Sequence, residues 1–97
     1  MSVLGVVATI KVQPGKEAEF EKAFADLRSK VRANEKGNLQ YDIFKMKDEP
    51  TYIAMEQYAS KEALAAHGES EHFKAAGAAL GAVLAGAPVL QIIKKVE

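Results

Sequence analysis

The chain opens with an alternating run of apolar residues that predicts a β-strand from Val3 to Val12. Side chains of a strand alternate between its two faces. One face would carry Leu4, Val6, Ala8, Ile10 and Val12, and the other would carry Val3, Gly5, Val7, Thr9 and Lys11. Because both sets contain apolar residues, we expect this strand to be covered on both sides over much of its length.

A helix and a β-hairpin follow the first strand. Apolar residues spaced three and four apart predict a helix over about residues 16–34; they are Phe20, Ala23, Phe24, Leu27 and Val31. Residues 36–38 then form a helix stop and turn, and residues 39–44 alternate as a second strand. The polar segment 47–50 has the length of a hairpin connection, so the third strand, residues 51–58, should pair antiparallel with the second.

The last third of the chain predicts a broken helix and a final strand. Ser60 suits the N-cap of a helix that begins at Lys61, and we expect a break near Gly68 before the helix continues to Leu84. Residues 75–87 are almost entirely Ala, Gly, Leu and Val, which favours close packing of a helix against a sheet. Residues 89–96 are predicted to form the fourth strand.

The element order βαββαβ predicts a single α+β domain over residues 1–97. Right-handed crossovers would place both helices on one face of a four-stranded antiparallel sheet. The other face is then bare, although the first and third strands place apolar residues there as well. A small domain with an apolar open face should associate with a second copy of itself.

Composition excludes several classes of partner and site. The chain has 13 Lys and Arg against 13 Asp and Glu without a basic run, so we expect no nucleic-acid partner. The absence of cysteine excludes thiolate nucleophiles, disulfides and cysteine-based metal centres. No apolar run approaches the roughly 20 residues that span a bilayer, and the first ten residues lack the basic region of a secretory signal. We therefore expect a cytoplasmic protein without membrane contact.

The two histidines are the first candidates for chemistry. His67 follows the apolar residues 63–66, where an imidazole could act as a general base or hydrogen-bond a carbonyl at the helix break. His72 lies beside Glu69 and Glu71 and is expected at the surface. The two histidines are five residues apart, rather than the four that bring a metal-binding pair to one helical face. No metal site is predicted.

Glu56 and three tyrosines are the other candidates. Glu56 lies in a largely apolar strand, where a buried carboxylate needs a partner or shifts its pKa. Tyr41, Tyr52 and Tyr58 could hold an aromatic ligand and its oxygens, or serve as core and rim residues. No nucleophile elbow, phosphate-binding loop or dinucleotide fingerprint occurs, so no organic cofactor is implied.

Three segments in combination resemble the antibiotic biosynthesis monooxygenase family. They are residues 7–20, VATIKVQPGKEAEF; residues 35–42, EKGNLQYD; and residues 56–73, in which EQYASKEALAAH is followed by SEHF. The resemblance implies a ferredoxin-like subunit that joins a second copy, sheet to sheet, as a dimeric α/β barrel. It also implies a pocket between the sheet and the helices of each subunit.

The oxygenases of that family need neither metal nor flavin, because the deprotonated phenol or quinol itself passes an electron to dioxygen. The resemblance implies a small aromatic substrate, dioxygen as co-substrate and no cofactor. It further implies that His67 is the base and Glu56 its orienting partner. Substrate-binding roles would fall to Asn38, Tyr41, Tyr58 and the pocket-lining residues Phe44, Met55 and Phe73.

The chain departs from the family pattern in two places. It contains no tryptophan, which several oxygenating members and the haem-degrading branch use, and Gly77 stands where that branch has a histidine. Haem degradation is therefore not expected. Two alternatives to an oxygenase stay open: an isomerase or degradation enzyme for a phosphorylated quorum-signal sugar, and a non-catalytic dimer that binds a small molecule.

Overall fold

A computed structural model of the protein describes residues 2–96. The predicted order of strands and helices is confirmed, and the expected break in the second helix lies at Ser70, two residues after Gly68. The elements are β1 (Leu4–Lys11), α1 (Glu17–Asn34), β2 (Asn38–Lys45), β3 (Thr51–Tyr58), α2 (Lys61–Glu69), α3 (Glu71–Gly81) and β4 (Val89–Lys94). The predicted ferredoxin-like fold is confirmed as well.

The four strands form one antiparallel sheet in the order β2-β3-β1-β4. The register pairs Val6 of β1 with Glu56 of β3, and Glu56 in turn with Tyr41 of β2. A register shift between Asn38 and Gln40 marks an irregularity at the start of β2. Because paired residues share a face, Val6, Glu56 and Tyr41 all lie on the side of the sheet that the helices cover.

The core lies between this face and α1. The helix buries the stripe Phe20, Phe24, Leu27 and Val31, four of the five apolar residues that predicted it. These side chains pack on alternate residues of β1 and on the aromatic residues Tyr41 and Tyr52. Phe20 lies 4.6 Å from the Tyr52 ring, and the Phe24 ring stacks on Tyr41 at 5.1 Å. The core thus fixes one aromatic wall of the space described below.

Ser70 separates α2 from α3. Its hydroxyl donates to the His67 carbonyl at 2.7 Å and accepts from the Phe73 amide at 3.2 Å, so one side chain ends α2 and begins α3. The expected close packing of residues 75–87 on the sheet is wrong for α3, which has no buried residue and packs on α1 instead. The segment that follows returns to the sheet, with Val83 buried and Leu84 bridged to Val12.

The opposite face of the sheet is uncovered, as predicted, and it is largely apolar. Phe44 is 53% exposed, and Met55, Val89 and Ile93 are also exposed there. The strand β4 at the sheet edge is exposed along its whole length. Among residues 2–96, no helix is both long and apolar enough to cross a membrane.

Candidate active site

A cavity of about 510 Å³ lies between the helix-covered face of the sheet and the three helices. Its volume falls within the usual range for small-molecule sites. Val6, Ala8 and Ile10 form its floor, Phe20, Phe24 and Leu27 one wall, and Phe73, Leu80 and Leu84 the other. Three polar side chains interrupt this apolar lining: Tyr41, Glu56 and His67.

His67 is buried near the end of α2 and lies between two polar partners. Its Nδ1 is 2.9 and 3.1 Å from the two carboxylate oxygens of Glu35. Its Nε2 is 3.5 Å from the Tyr41 hydroxyl. A carboxylate accepts hydrogen bonds, so the Nδ1 atom of neutral His67 carries the proton and Nε2 keeps its lone pair. The Nε2 lone pair therefore points toward the Tyr41 hydroxyl. Tyr41 and His67 both line the cavity.

Glu35 is the residue that sequence reasoning missed. It follows the last residue of α1, where its amide still donates to the Val31 carbonyl at 2.9 Å. The side chain is only 10% exposed. In the sequence, Glu35 precedes Lys36 and Gly37 and looks like an ordinary polar helix end. Glu35, and not Glu56, is therefore the carboxylate that orients the His67 ring.

His72 contacts the same carboxylate. Its Nε2 lies 2.5 Å from Glu35 Oε2, and its side chain is only 13% exposed. The prediction that His72 is a surface residue is wrong. The inference that His67 and His72 lie on different helical faces, too far apart to meet, is also wrong. Both errors have one cause: Ser70 breaks the helix between His67 and His72, so the spacing rule for a continuous helix does not apply.

Glu56 lines the cavity and bonds to Tyr58 rather than to His67. The Tyr58 hydroxyl donates to Glu56 Oε1 at 2.7 Å. Burial raises the pKa of the Glu56 carboxyl above its ordinary value, and the bond from Tyr58 and the nearby His67 imidazole oppose that rise. Burial and then the Glu56 charge also raise the pKa of Tyr41 and Tyr58. Both phenols are therefore neutral hydrogen-bond donors at any pH near 7.

Aromatic rings surround the His67 imidazole on three sides. The Phe73 ring lies at 4.8 Å, the Tyr41 ring at 5.2 Å and the Tyr58 ring at 5.4 Å, measured between ring centres. This packing restricts the rotation of the imidazole about its side-chain bonds. With Glu35 bonded to Nδ1, the position of Nε2 at the cavity wall is fixed from both sides.

The structure brings only some of the predicted site residues together. His67, Glu56, Tyr41 and Phe73 line the cavity, and Tyr58 is buried beside it. Phe44 and Met55 do not line it, because strand alternation places both on the opposite, uncovered face of the sheet. This part of the predicted site is wrong.

Asn38 also differs from its expected place. It is buried at the irregular start of β2, and its side-chain amide donates to the carbonyls of Gln40 and Gln57. Its Oδ1 accepts from Arg32. The side chain is thus fully occupied in holding the strand irregularity and does not line the cavity.

We compared the sequence and the structure with those of known proteins. The family model described as antibiotic biosynthesis monooxygenase matches residues 3–79. The chain belongs to the antibiotic biosynthesis monooxygenase family. The resemblance inferred from the three sequence segments is thereby confirmed, and with it a general monooxygenase-like role.

Individual proteins are similar to this antibiotic biosynthesis monooxygenase domain in sequence or in fold. "Putative monooxygenase YcnE" of Bacillus subtilis (strain 168) is 40% identical over 68 residues, which are 69% of this chain and 70% of that protein. The crystal structure of a "putative antibiotic biosynthesis monooxygenase" from Caulobacter crescentus CB15 is 54% identical, with a TM-score of 0.95 over 99% of this chain and 92% of that one. A conserved protein from Methanosarcina mazei Go1, 26% identical, has a TM-score of 0.89 over 99% and 95%.

Proposed function

We propose that the protein is a cofactor-independent monooxygenase that oxidises a small phenolic or quinol substrate with dioxygen. The observation that carries the proposal is the arrangement of His67: one ring nitrogen is tied to a buried carboxylate, and the other lies at the wall of an apolar cavity. A carboxylate on Nδ1 fixes the tautomer and stabilises the imidazolium that forms when Nε2 accepts a proton. This is the arrangement that a general base requires.

The first step is proton removal. A substrate hydroxyl placed between Tyr41 and His67 gives its proton to Nε2, and the resulting imidazolium is stabilised by Glu35. Tyr41 stays neutral and donates a hydrogen bond to the substrate oxyanion, since burial and the nearby carboxylates raise its pKa. Tyr58 cannot serve in the same way, because its hydroxyl is already bonded to Glu56.

Oxidation of the bound anion then needs no group from the protein. The phenolate passes one electron to dioxygen, giving a phenoxyl radical and superoxide, and these combine through a new carbon–oxygen bond at a ring carbon that carries hydrogen. Loss of that hydrogen as a proton and cleavage of the O–O bond leave a quinone carbonyl and water. For a hydroquinone, one substrate and one O2 yield one hydroxyquinone and one H2O, which balances atoms and electrons. The protein contributes the base and the position of the ring.

The lining of the cavity supports an apolar aromatic substrate over a phosphorylated sugar. Lys and Arg are absent from the cavity lining within residues 2–96. A phosphate group would have to enter this space without a cation to pair with, at a large desolvation cost. Among the described residues, the polar side chains of the lining are Tyr41, Glu56 and His67, and they are clustered at one end, which suits a molecule with one polar edge.

We also propose that two copies of the chain join through their uncovered sheet faces. The support is the apolar character of that face, where Phe44, Met55 and Ile93 are all exposed. A soluble domain rarely leaves such a patch open. The interface would bury residues opposite the cavity, so each subunit would keep a complete site. The cytoplasmic location stays a prediction.

The test is oxygen uptake with a panel of hydroquinones and anthrone-like phenols. The decisive variant is His67→Asn, whose side-chain amide can keep the bond that Nδ1 makes to Glu35 but offers no base at Nε2. Glu62→Gln, on the exposed first turn of α2, is the matched control on the same helix. We expect uptake by the wild type and by the control, and a loss of about 100-fold or more in the Asn variant.

Two results would contradict the proposal. Uptake by the His67→Asn variant at the wild-type rate would exclude His67 as the base. Tight binding of the aromatic compounds without any uptake would instead favour the non-catalytic binding dimer.

A further inference from the structure

Three potential metal ligands meet beside the cavity, where α1, α2 and α3 approach one another. Glu35 follows α1, His67 lies near the end of α2, and His72 lies in the first turn of α3. One ligand atom from each residue lies within 4.8 Å of the others. The side chains of His67, Glu35 and His72 are 6%, 10% and 13% exposed, so the cluster is largely shielded from water.

We propose that Glu35, His67 and His72 form a binding site for a divalent transition metal, with Zn2+ as the preferred probe. Two imidazole nitrogens and one carboxylate oxygen are a donor set that zinc accepts, with a fourth position left for water. Nitrogen and oxygen donors without thiolate suit Zn2+, Ni2+ and Co2+ and do not suit Cu(I).

A zinc site needs these ligand atoms to move by about 1 Å from their present positions. In a tetrahedral site, zinc lies about 2.0–2.2 Å from each imidazole nitrogen or carboxylate oxygen, so neighbouring ligand atoms are about 3.3–3.6 Å apart. His67 and His72 already direct one ring nitrogen each at Glu35 Oε2. The widest pair of ligand atoms, which lies within 4.8 Å, would have to close by about 1.2–1.5 Å, and the two ring nitrogens would have to move back from Glu35 Oε2 by about 0.4–1.1 Å. The joint at Ser70 between α2 and α3 offers a place for that movement.

A metal ion at this site would affect the proposed proton transfer through His67 Nε2. The metal would take the Nδ1 lone pair of His67, and a neutral imidazole bound at Nδ1 carries its proton on Nε2. Nε2 is the atom that must accept a proton if His67 is the base. The metal-bound form would therefore be inactive, a consequence that rests on the proposed function. His72, as the most exposed of the three, would be the first ligand that an incoming ion meets.

Metal binding can be measured without any substrate. Tag-free, metal-free protein would be titrated with Zn2+ by calorimetry and with Co2+ by visible absorption, in which a change from six to four or five ligands intensifies the ligand-field bands. The chain has two histidines and no cysteine, so a site with two imidazoles can only be this one. His72→Gln keeps an N–H donor for Glu35 but removes the imidazole, and Glu71→Gln is the matched control on an exposed carboxylate one residue away.

We expect one Zn2+ per chain at micromolar affinity or better, with an affinity at least about tenfold weaker in His72→Gln and in Glu35→Gln, and unchanged in Glu71→Gln. Circular dichroism of the metal-free variants would confirm that they fold. Wild-type affinity in the His72→Gln variant, or no binding by the wild type at 100-fold excess over protein, would overturn the site.

The effect on His67 has its own readout. Long-range nitrogen–proton correlation spectra of the imidazole report which ring nitrogen carries the proton, whether or not the protein turns over a substrate. We expect the proton on Nδ1 in metal-free protein and on Nε2 after zinc is added. Zinc binding with the proton still on Nδ1 would overturn this assignment. Absence of oxygen uptake would count against the oxygenase alone and would leave the metal site standing.

Discussion

Replacement of Phe44 by Ala should weaken the proposed dimer and leave the fold intact. Phe44 lies in β2 on the uncovered face of the sheet, opposite the face that holds the core. Its side chain is 53% exposed in the single chain, so it contributes little to the packing of one subunit. In a symmetric sheet-to-sheet dimer, its exposed half would be buried twice, once in each copy.

The size of the effect follows from that exposure. Complete burial of a Phe side chain stabilises by about 1.5–3 kcal/mol, so burial of the exposed half is worth about 0.8–1.6 kcal/mol per copy. Two copies give about 1.6–3.2 kcal/mol. At 1.4 kcal/mol per factor of ten, the dissociation constant should rise by about 10-fold to 200-fold. The free energy of unfolding of the isolated subunit should change much less.

Sedimentation velocity over a dilution series measures this dissociation constant directly. Phe73→Ala is the matched control, because it removes the same side chain from the helical side of the molecule. A wild-type protein that stays monomeric at high micromolar concentration would refute the dimer. A dissociation constant for Phe44→Ala within about twofold of the wild type would refute the assignment of the face.

Two further predictions concern stability. Glu56→Gln should raise the melting temperature at pH 7–8, because burial raises the folded pKa of Glu56 above the unfolded one. The stability that the Glu56 carboxyl contributes is therefore fully present below about pH 4.3 and is lost as the pH rises through its folded pKa. In thermal melts from pH 4 to 8, the difference in melting temperature between Glu56→Gln and the wild type should therefore grow with pH. An advantage that is constant with pH would contradict this account. Ser70→Ala should cost about 1–2 kcal/mol in a urea titration, since one hydroxyl caps α3 and bonds the end of α2, whereas Ser2→Ala should cost nothing.

Most of the fold could be predicted because each element carries its own local signal. The apolar stripe of α1 and the two-sided apolar pattern of β1 both depend on residues close in sequence. The alternation of strands also contained the correct position of Phe44, which is three residues from Tyr41 and therefore on the other face. The error over Phe44 and Met55 came from assigning pocket roles by resemblance against that alternation.

The center of the site could be predicted only in part. The buried His67 stood out by its apolar neighbours in sequence, but its partner Glu35 lies 32 residues away at the end of another helix. No periodic pattern connects two such positions, because their contact depends on how far α1 extends past the sheet. His72 was missed for a different reason, since one capping serine redirected the chain between it and His67.

A molecule bound in the cavity would extend the hydrophobic core. The cavity of about 510 Å³ has a largely apolar lining whose side chains lack neighbours on one side, so a molecule that fills it adds contacts. Ligand at 100 times its dissociation constant stabilises by about 2.7 kcal/mol, and each kcal/mol shifts the melting temperature of a domain this size by about 4–8 °C. A library screened by melting temperature would thus identify molecules that bind in the cavity, before any reaction is known.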